Sequence, residues 1–196
     1  MRKWGYLITL SLIIGTVIAL IFIIKGTSLS IVEDHSGVDY GVSLIRDGRY
    51  NDAASVFAEA LESNPNDPEL LNYLGISRFN KGDYAGALKA FSSALKINPS
   101  LADANHNLGL TYHEMGLYYH AIEYYERVIN LGADDDLLHY HMGLTKIALR
   151  DWDGAVESLD TAVTLGSRKT PPDDKMLEEY RRYLKYARYR DGFGKK

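Results

Sequence analysis

Glycine recurs at a fixed interval of 34 residues along most of this chain, and two other residue types keep the same interval. The three registers hold glycine at Gly41, Gly75, Gly109 and Gly143, alanine at Ala53, Ala87, Ala121 and Ala155, and an aromatic ring at Tyr50, Tyr84, Tyr118 and Trp152. No insertion or deletion interrupts the four copies. This interval predicts a stack of supersecondary units, because each unit is too small to bury its own apolar face.

The second copy, residues 68–101, shows what one unit contains. Asp67 and Pro68 are typical of the start of a helix. A short turn around Gly82 follows, since glycine adopts backbone states that a side chain resists. The apolar residues recur at helical spacing on both sides of this turn: Leu70, Leu71, Leu74, Ile76 and Phe79 before it, and Ala87, Leu88, Phe91, Ala94 and Leu95 after it. Each copy is therefore expected to be a helix, a turn and a helix.

These residues resemble the tetratricopeptide repeat family, whose pattern is Leu-Gly on a first helix, then Ala, a large aromatic, Ala and Pro on a second. The matching residues are Tyr40-Gly41, Ala53, Phe57, Ala60 and Pro65 in the first copy, Leu74-Gly75, Ala87, Phe91, Ala94 and Pro99 in the second, Leu108-Gly109, Tyr112, Ala121 and Tyr125 in the third, and Met142-Gly143, Ala155, Leu159 and Ala162 in the fourth. The resemblance implies an all-α, right-handed superhelical solenoid of four repeats over residues 34–67, 68–101, 102–135 and 136–169.

The chain departs from the family pattern at two places. The first-helix Trp of the family is replaced by Gly37, Leu71, Asn105 and His139. The closing Pro is absent from the third and fourth copies, which have Leu131-Gly132 and Leu165-Gly166 instead. Because glycine ends helices in a left-handed cap, we expect these two units to close at their glycines.

The N-terminal region differs in composition from the repeats. Trp4 to Ile24 is an uncharged run of 21 residues, long enough to cross the hydrocarbon core of a bilayer as one helix. We expect residues 1–25 to be a retained membrane anchor and 26–35 a short linker; a cleaved signal peptide is the alternative. Positive charge before the span favours a cytoplasmic N-terminus and repeats on the extracytoplasmic, periplasmic side. Small residues that would permit contact with another membrane helix lie at Ser11, Gly15 and Ala19.

The C-terminal region, residues 170–196, is expected to be a helix that caps the stack, because a solenoid must cover its last unit. Thr170-Pro171-Pro172-Asp173 is typical of a helix start. Residues 181–196 hold seven Lys and Arg against one acid, whereas residues 26–180 hold twelve basic and twenty-five acidic side chains. The apolar face of the helix comprises Met176, Leu177, Tyr180, Tyr183, Leu184 and Ala187.

Catalytic and metal-binding patterns are missing from the sequence. It has no cysteine, no phosphate-binding glycine loop and no nucleophile elbow. His106 and His113 lie about 10 Å apart along one helix, too far to share a metal ion. If they line a binding surface, binding would vary around pH 6–7. We therefore expect no catalytic activity, no cofactor and no bound metal. A nucleic-acid ligand is not expected either, because the acidic body of the chain would repel it.

The resemblance implies that the first helices line a concave groove that binds partner segments. By register, the groove residues are Val42, Ile45, Asn72, Ile76, Phe79, Asn80, His106, Asn107, Leu110, His113, Tyr140 and Leu144. Some members of the family grip a C-terminal carboxylate at positions that here hold Val38, Val42, Tyr73, Asp103 and Asn107. Only Asn107 agrees, which disfavours an acidic tail. A peptide segment or amphipathic helix with hydrophobic anchors, hydrogen-bonded by the amide and imidazole side chains, fits better.

The sequence therefore predicts a single-pass, membrane-tethered scaffold or adaptor that binds a protein partner and assists the assembly of a membrane complex. Two alternatives remain open. The chain is a permanent subunit of such a complex, or it self-assembles with the C-terminal helix of one copy in the groove of the next. Homo- or hetero-oligomers are compatible with either alternative.

Overall fold

The computed structural model describes residues 35–194, and within this range the chain forms nine α-helices and no strand. The helices are α1 (His35–Arg46), α2 (Tyr50–Ser63), α3 (Pro68–Asn80), α4 (Tyr84–Ile97), α5 (Ala102–Glu114), α6 (Tyr118–Asn130), α7 (Asp136–Ala148), α8 (Trp152–Ser167) and α9 (Asp174–Gly194). The predicted helix–turn–helix unit is thus present four times, followed by one further helix.

The helices stack in chain order, each packing on the next. The first helices of successive repeats, α1, α3, α5 and α7, also contact one another, and α9 contacts α7 in the same way. No such contact joins the second helices α2, α4, α6 and α8 within residues 35–194. A stack whose first helices are closer together than its second helices is curved, with the first helices on the inner side.

Each repeat is held closed by one glycine on its first helix. A methyl group added at Gly109 would lie 2.5 Å from the Tyr125 ring, and one at Gly143 would lie 2.6 Å from Leu159. Gly41 and Gly75 meet the rings of Phe57 and Phe91 in the same way. All four side chains on the second helices are buried. The glycine register therefore marks the points where a large side chain of the second helix reaches the backbone of the first.

The turn inside each repeat requires a left-handed backbone. Gly82 has φ 84°, as predicted, and Gly48 and Gly116 at the equivalent positions have φ 74° and 75°. The fourth repeat has Arg150 at this position, with φ 61°. A non-glycine residue in this region is strained by its Cβ, so the fourth turn is less favourable than the other three.

The third and fourth repeats close differently from each other. Gly132 has φ 80° and follows the end of α6, as predicted, with the Ala133 N–H donating to the Val128 carbonyl. The prediction for Gly166 is wrong, because Gly166 lies inside α8, which continues to Ser167. A Cβ on Gly166 would lie 3.1 Å from Leu177 and 3.3 Å from Tyr180. This glycine therefore allows α9 to approach α8.

The C-terminal helix covers the last repeat, as predicted. It begins at Asp174, and the Asp173 side chain accepts a hydrogen bond from the Met176 N–H at 3.1 Å, so residues 170–172 precede the helix. Its buried residues are Leu177, Tyr180, Leu184 and Ala187, which form one core cluster with Tyr140, Ala155, Leu159 and Ala162; Met176 and Tyr183 are half-buried against it.

The predicted membrane helix, with Ser11, Gly15 and Ala19, and residues 26–34 of the predicted linker lie outside the described residues. Among residues 35–194, none of the helices has the length and apolar character needed to span a bilayer.

The close contact at Gly75 predicts an unusual response to substitution. Alanine normally stabilises a helix relative to glycine by up to about 1 kcal/mol. At Gly75, however, the added methyl group would overlap the Phe91 ring. We expect Gly75→Ala to reduce the free energy of unfolding, measured by urea denaturation, by about 1–3 kcal/mol.

A second substitution and a control test this explanation. Phe91→Ala removes the ring that the added methyl group would overlap, so it should make Gly75→Ala less costly in a double-mutant cycle. Gly192 on α9 has open space where a Cβ would lie, so Gly192→Ala should be neutral or stabilising. A cost at Gly75 that is unaffected by Phe91→Ala would contradict the contact.

Candidate functional site

The inner face of the stack contains an open cavity of about 280 Å³ between the second, third and fourth repeats. Five of the predicted groove residues line it: Phe79, Leu110, His113, Tyr140 and Leu144. Glu114, Tyr125 and His141 complete the lining. We call these eight residues the groove cavity. Seven of them converge because α3, α5 and α7 lie side by side and present residues at helical spacing to the same face, and Tyr125 reaches the cavity from α6.

The remaining predicted groove residues lie elsewhere. Val42 and Ile45 of α1 are half-buried against the core cluster of the first repeat. Ile76 packs against the cluster of Ala87, Phe91 and Leu108. Asn80 is exposed, but its side chain donates to the Ile76 carbonyl at 2.9 Å. The first repeat therefore contributes nothing to the groove cavity.

The amide and imidazole side chains of the face bond to one another across successive repeats. Asn107 donates through Nδ2 to Asn72 Oδ1 at 3.1 Å. His106 Nε2 and His141 Nδ1 are 2.9 Å apart. Asn72 is also buried. These side chains were predicted to bond to a partner, whereas the structure shows Asn72, His106 and Asn107 paired within the chain.

A third pair extends this arrangement to the C-terminal helix. The Tyr140 hydroxyl donates to Glu179 Oε1 at 2.9 Å, and its ring packs 4.9 Å from that of Tyr180. Tyr140 is buried, so it forms a wall of the cavity and part of the core beside α9. We call Asn72–Asn107, His106–His141 and Tyr140–Glu179 the rung pairs; each joins one first helix to the next, with α9 in the place of a fifth.

Buried hydroxyls form a further line that the sequence analysis missed. Ser77, Thr111 and Thr145 are fully buried, and each donates to the backbone carbonyl four residues earlier. Together with Ser43 they follow the 34-residue interval, which is the signal that would have revealed them. Ser77, Thr111 and Thr145 thus place a small hydroxyl-bearing side chain on the buried side of α3, α5 and α7.

Thr145 also determines the tautomer of His113. His113 Nδ1 lies 2.7 Å from Thr145 Oγ1. The His141 carbonyl only accepts, so the arrangement that satisfies both contacts has the Thr145 hydroxyl donating to that carbonyl and His113 Nδ1 donating to Thr145. A neutral His113 therefore keeps an unprotonated Nε2, which is a hydrogen-bond acceptor. No partner of Nε2 occurs within residues 35–194.

The three histidines of this face are held neutral. Burial first, and then the neighbouring His106 and His113, lower the pKa of His141 to about 3. Burial also lowers the pKa of His106 and of His113 below its usual value. His141 was not among the predicted site residues, although it stands 35 residues after His106. Binding at this face was predicted to vary around pH 6–7. Because these pKa values are lowered, we expect that variation at a lower pH.

Besides the unpaired His113 Nε2, two residues of the lining bear polar groups that matter for a ligand. Glu114 is the only Asp or Glu among the eight lining residues, and no Lys or Arg is among them. The Tyr125 hydroxyl is buried beside Thr145 without a hydrogen bond, and its pKa is raised by burial. No three His, Cys, Asp or Glu side chains of residues 35–194 converge in a way that suits a metal ion.

The acidic run before α7 has a structural role. Asp135 accepts from the Leu138 N–H at 2.7 Å and caps the helix. Asp134 contacts His139 at 2.6 Å. Asp136 is buried, pairs with Lys169 and accepts from the Tyr180 hydroxyl at 3.2 Å. These contacts fix α9 against α7, next to the Tyr140 wall of the cavity.

Comparisons with known proteins identify the repeat. Two models of the tetratricopeptide repeat family match residues 40–102 and 102–135. No curated protein matches the chain.

Solved structures share the fold at low sequence identity. The crystal structure of MamA is 21% identical, with a TM-score of 0.59 over 79% of this chain and 95% of that one. MamA 41-end from Desulfovibrio magneticus RS-1 is 22% identical, with a TM-score of 0.62 over 81% and 90%. A chain in the crystal structure of the APC/C hetero-tetramer Cut9-Hcn1 is 23% identical, with a TM-score of 0.66 over 77% of this chain and 29% of that one.

The neutral histidines predict that stability falls in acid. The pKa of His141 in the folded state, about 3, lies below the usual 6.5, so the unfolded chain takes up a proton first as the pH falls. The stabilisation is fully present above pH 6.5 and is lost below it. Between pH 7.5 and 5, we expect His141 to reduce the free energy of unfolding by about 1–2 kcal/mol.

Urea unfolding of two variants at both pH values tests this expectation. His141→Asn should lose less stability on acidification than the parent chain. His120→Asn, which alters an exposed imidazole stacked on Tyr112, should retain the parent pH dependence. An equal loss in the parent and in His141→Asn would show that His141 is not the group responsible.

Proposed function

Since this chain is a tetratricopeptide repeat protein, we propose that it is a scaffold that holds a protein partner against its first-helix face. The groove cavity carries this proposal, because it is open and lined by half-buried apolar residues such as Phe79, Leu110 and Leu144. Interfaces draw most of their affinity from a few anchors that enter such pockets. The polar rung pairs are already satisfied within the chain, so the cavity is what remains for a guest.

The surroundings of the cavity favour binding over reaction. The histidines that line it are neutral and hydrogen-bonded, and its only carboxylate belongs to Glu114. General acid–base catalysis needs groups whose pKa lies near the working pH, and burial has moved these histidines away from it. A chain of the same fold occurs in the APC/C hetero-tetramer, which supports a role in assembly by analogy alone.

We propose further that the scaffold is tethered to a membrane through residues 1–25. The support is the uncharged run Trp4–Ile24. The bias of positive charge towards the N-terminus favours repeats on the extracytoplasmic side. There the repeats would hold a partner during assembly of a membrane complex.

A permanent subunit role is the second candidate, and the third turn favours it. The turn of the third repeat is Met115-Gly116-Leu117, whereas Asp47 and Arg49, or Lys81 and Asp83, flank the turns of the first two repeats. Met115 and Leu117 are exposed, and the nearby Tyr119 is 78% exposed. An exposed apolar turn of this kind suits a fixed contact. A permanent subunit would co-purify stoichiometrically with its complex after detergent extraction.

Self-assembly through the C-terminal helix is less compatible with the packing. Leu177, Tyr180 and Leu184 of α9 are buried against α7 and α8 of the same chain. Inserting this helix into the groove of another copy would expose those side chains and the core that they cover.

The groove proposal predicts that one charge at Leu110 prevents partner capture. Leu110→Glu places a carboxylate in the cavity, and burying an unpaired charge there is unfavourable. We expect crosslinking pull-down from native membranes to lose at least about tenfold of the captured partner. Leu117→Glu, on the exposed turn outside the cavity, serves as the matched control and should capture normally.

Stability must be measured alongside capture, because Leu110 also packs on the core of the third repeat. If Leu110→Glu lowers the melting temperature strongly, Leu110→Ala is the alternative variant. Normal capture by a folded Leu110 variant, together with loss in Leu117→Glu, would move the interface to the exposed turn and favour the permanent subunit.

The tether predicts a change of fractionation. Deleting residues 2–25 should release a folded chain into the soluble fraction, with the helical circular dichroism of the repeats retained, because the stack has its own core. An insoluble or unfolded product would contradict a separable anchor. The same soluble behaviour in the undeleted chain would contradict the anchor itself.

A further inference from the structure

We propose that the groove cavity receives one arginine side chain from the bound partner segment, with the guanidinium group at Glu114 and the aliphatic stem against the aromatic and leucine walls. The inference rests on the proposed binding function and specifies the anchor that the cavity selects.

Charge is the first reason for arginine. Glu114 is the only carboxylate-bearing residue among the eight that line the cavity, and no Lys or Arg is among them. Because His113 and His141 are neutral, they do not offset that negative charge. An acidic side chain would meet repulsion there, whereas a cation would be attracted.

Hydrogen bonding points the same way. The proton on His113 Nδ1 is donated to Thr145, which leaves Nε2 as an acceptor. The Glu114 carboxylate also only accepts. Glu114 and His113 Nε2 are thus two acceptors for a ligand that only donates, while the unpartnered Tyr125 hydroxyl can either donate or accept. Guanidinium presents five N–H donors and no acceptor.

The walls of the cavity match the rest of an arginine side chain. Phe79, Tyr125 and Tyr140 contribute aromatic rings, and Leu110 and Leu144 contribute aliphatic surface. A planar guanidinium stacks on aromatic faces, and its methylene stem packs on apolar groups. A volume of about 280 Å³ holds one long side chain and excludes a whole helix.

This chain already pairs guanidinium groups with aromatic rings elsewhere. Arg127 lies 4.5 Å above the Tyr124 ring, and Arg182 lies 5.0 Å from the Tyr183 ring. Those pairs lie on the exposed surface, where water weakens them. The same contact in the partly enclosed groove cavity would be stronger.

Small probes test the anchor without knowledge of the partner. The full chain is titrated, by ligand-observed NMR, with Nα-acetyl-arginine-N-methylamide, its citrulline analogue and its norleucine analogue. Citrulline keeps the shape of arginine without its charge, and norleucine keeps only the apolar stem. We expect the arginine probe to bind in the range of about 10 mM, and about fivefold more tightly than either analogue.

Variants then locate the binding site. Glu114→Gln should reduce affinity for the arginine probe about threefold to fivefold while leaving the citrulline probe unaffected. Glu126→Gln removes an exposed carboxylate from α6, outside the cavity, and should change neither. Equal binding of arginine and citrulline, tighter binding of norleucine, no binding of arginine, or an equal effect of both variants would each overturn the arginine anchor.

Partner capture separates this inference from the proposed function. If the arginine probe fails but Leu110→Glu still abolishes capture, the groove binds a partner through another anchor and only the arginine assignment falls. If the probe binds in a Glu114-dependent manner but capture ignores Leu110→Glu, the arginine site stands and the groove is not the partner surface.

Discussion

The close approach of a first-helix glycine to a large second-helix side chain is the contact on which the rest of this structure depends. Because Phe57, Phe91, Tyr125 and Leu159 reach the backbone at Gly41, Gly75, Gly109 and Gly143, the two helices of each repeat are closely packed. This close packing within each repeat allows consecutive first helices to contact one another, whereas consecutive second helices do not. The curvature and the inner face follow from this difference. A larger residue in the glycine register would therefore disturb the inner face as well as the core of one repeat.

The polar side chains of the inner face define the junctions between repeats. At successive junctions the rung pairs are amide with amide, imidazole with imidazole, and phenol with carboxylate. At the junction between the first and second repeats, the residues equivalent to Asn72 and Asn107 are Val38 and Tyr73. Both are apolar in their contacts and pack on the same core cluster. A slip of one helix along its neighbour would leave buried donors and acceptors unpaired, which is costly. These side chains therefore fix the register of the stack. In the proposed function, partner recognition is assigned to Glu114, the unpaired Nε2 of His113 and the apolar walls.

The sequence predicted the architecture well because the same packing problem is solved four times. The 34-residue interval predicted the helix–turn–helix unit with its turn at Gly82, and helical spacing predicted the buried face of α9; the structure confirms both. Five of the twelve predicted groove residues line the cavity. The errors concern contacts between units: His141, Glu179 and the interior place of Gly166 depend on how one unit lies on the next. A register within one repeat carries no such information, because the partner atoms lie 35 or more residues away.

The C-terminal helix is more than a cover for the last repeat. Through Tyr140–Glu179 and Asp136 with Tyr180 and Lys169, α9 fixes the side chain that forms one wall of the groove cavity. Tyr140 is buried in this arrangement and has little freedom to rotate. For a partner side chain of the kind proposed, this wall would already be ordered, so less conformational entropy would be lost on binding. The cap, remote from Glu114 in sequence, would thus contribute to affinity in the proposed function by keeping the cavity in one shape.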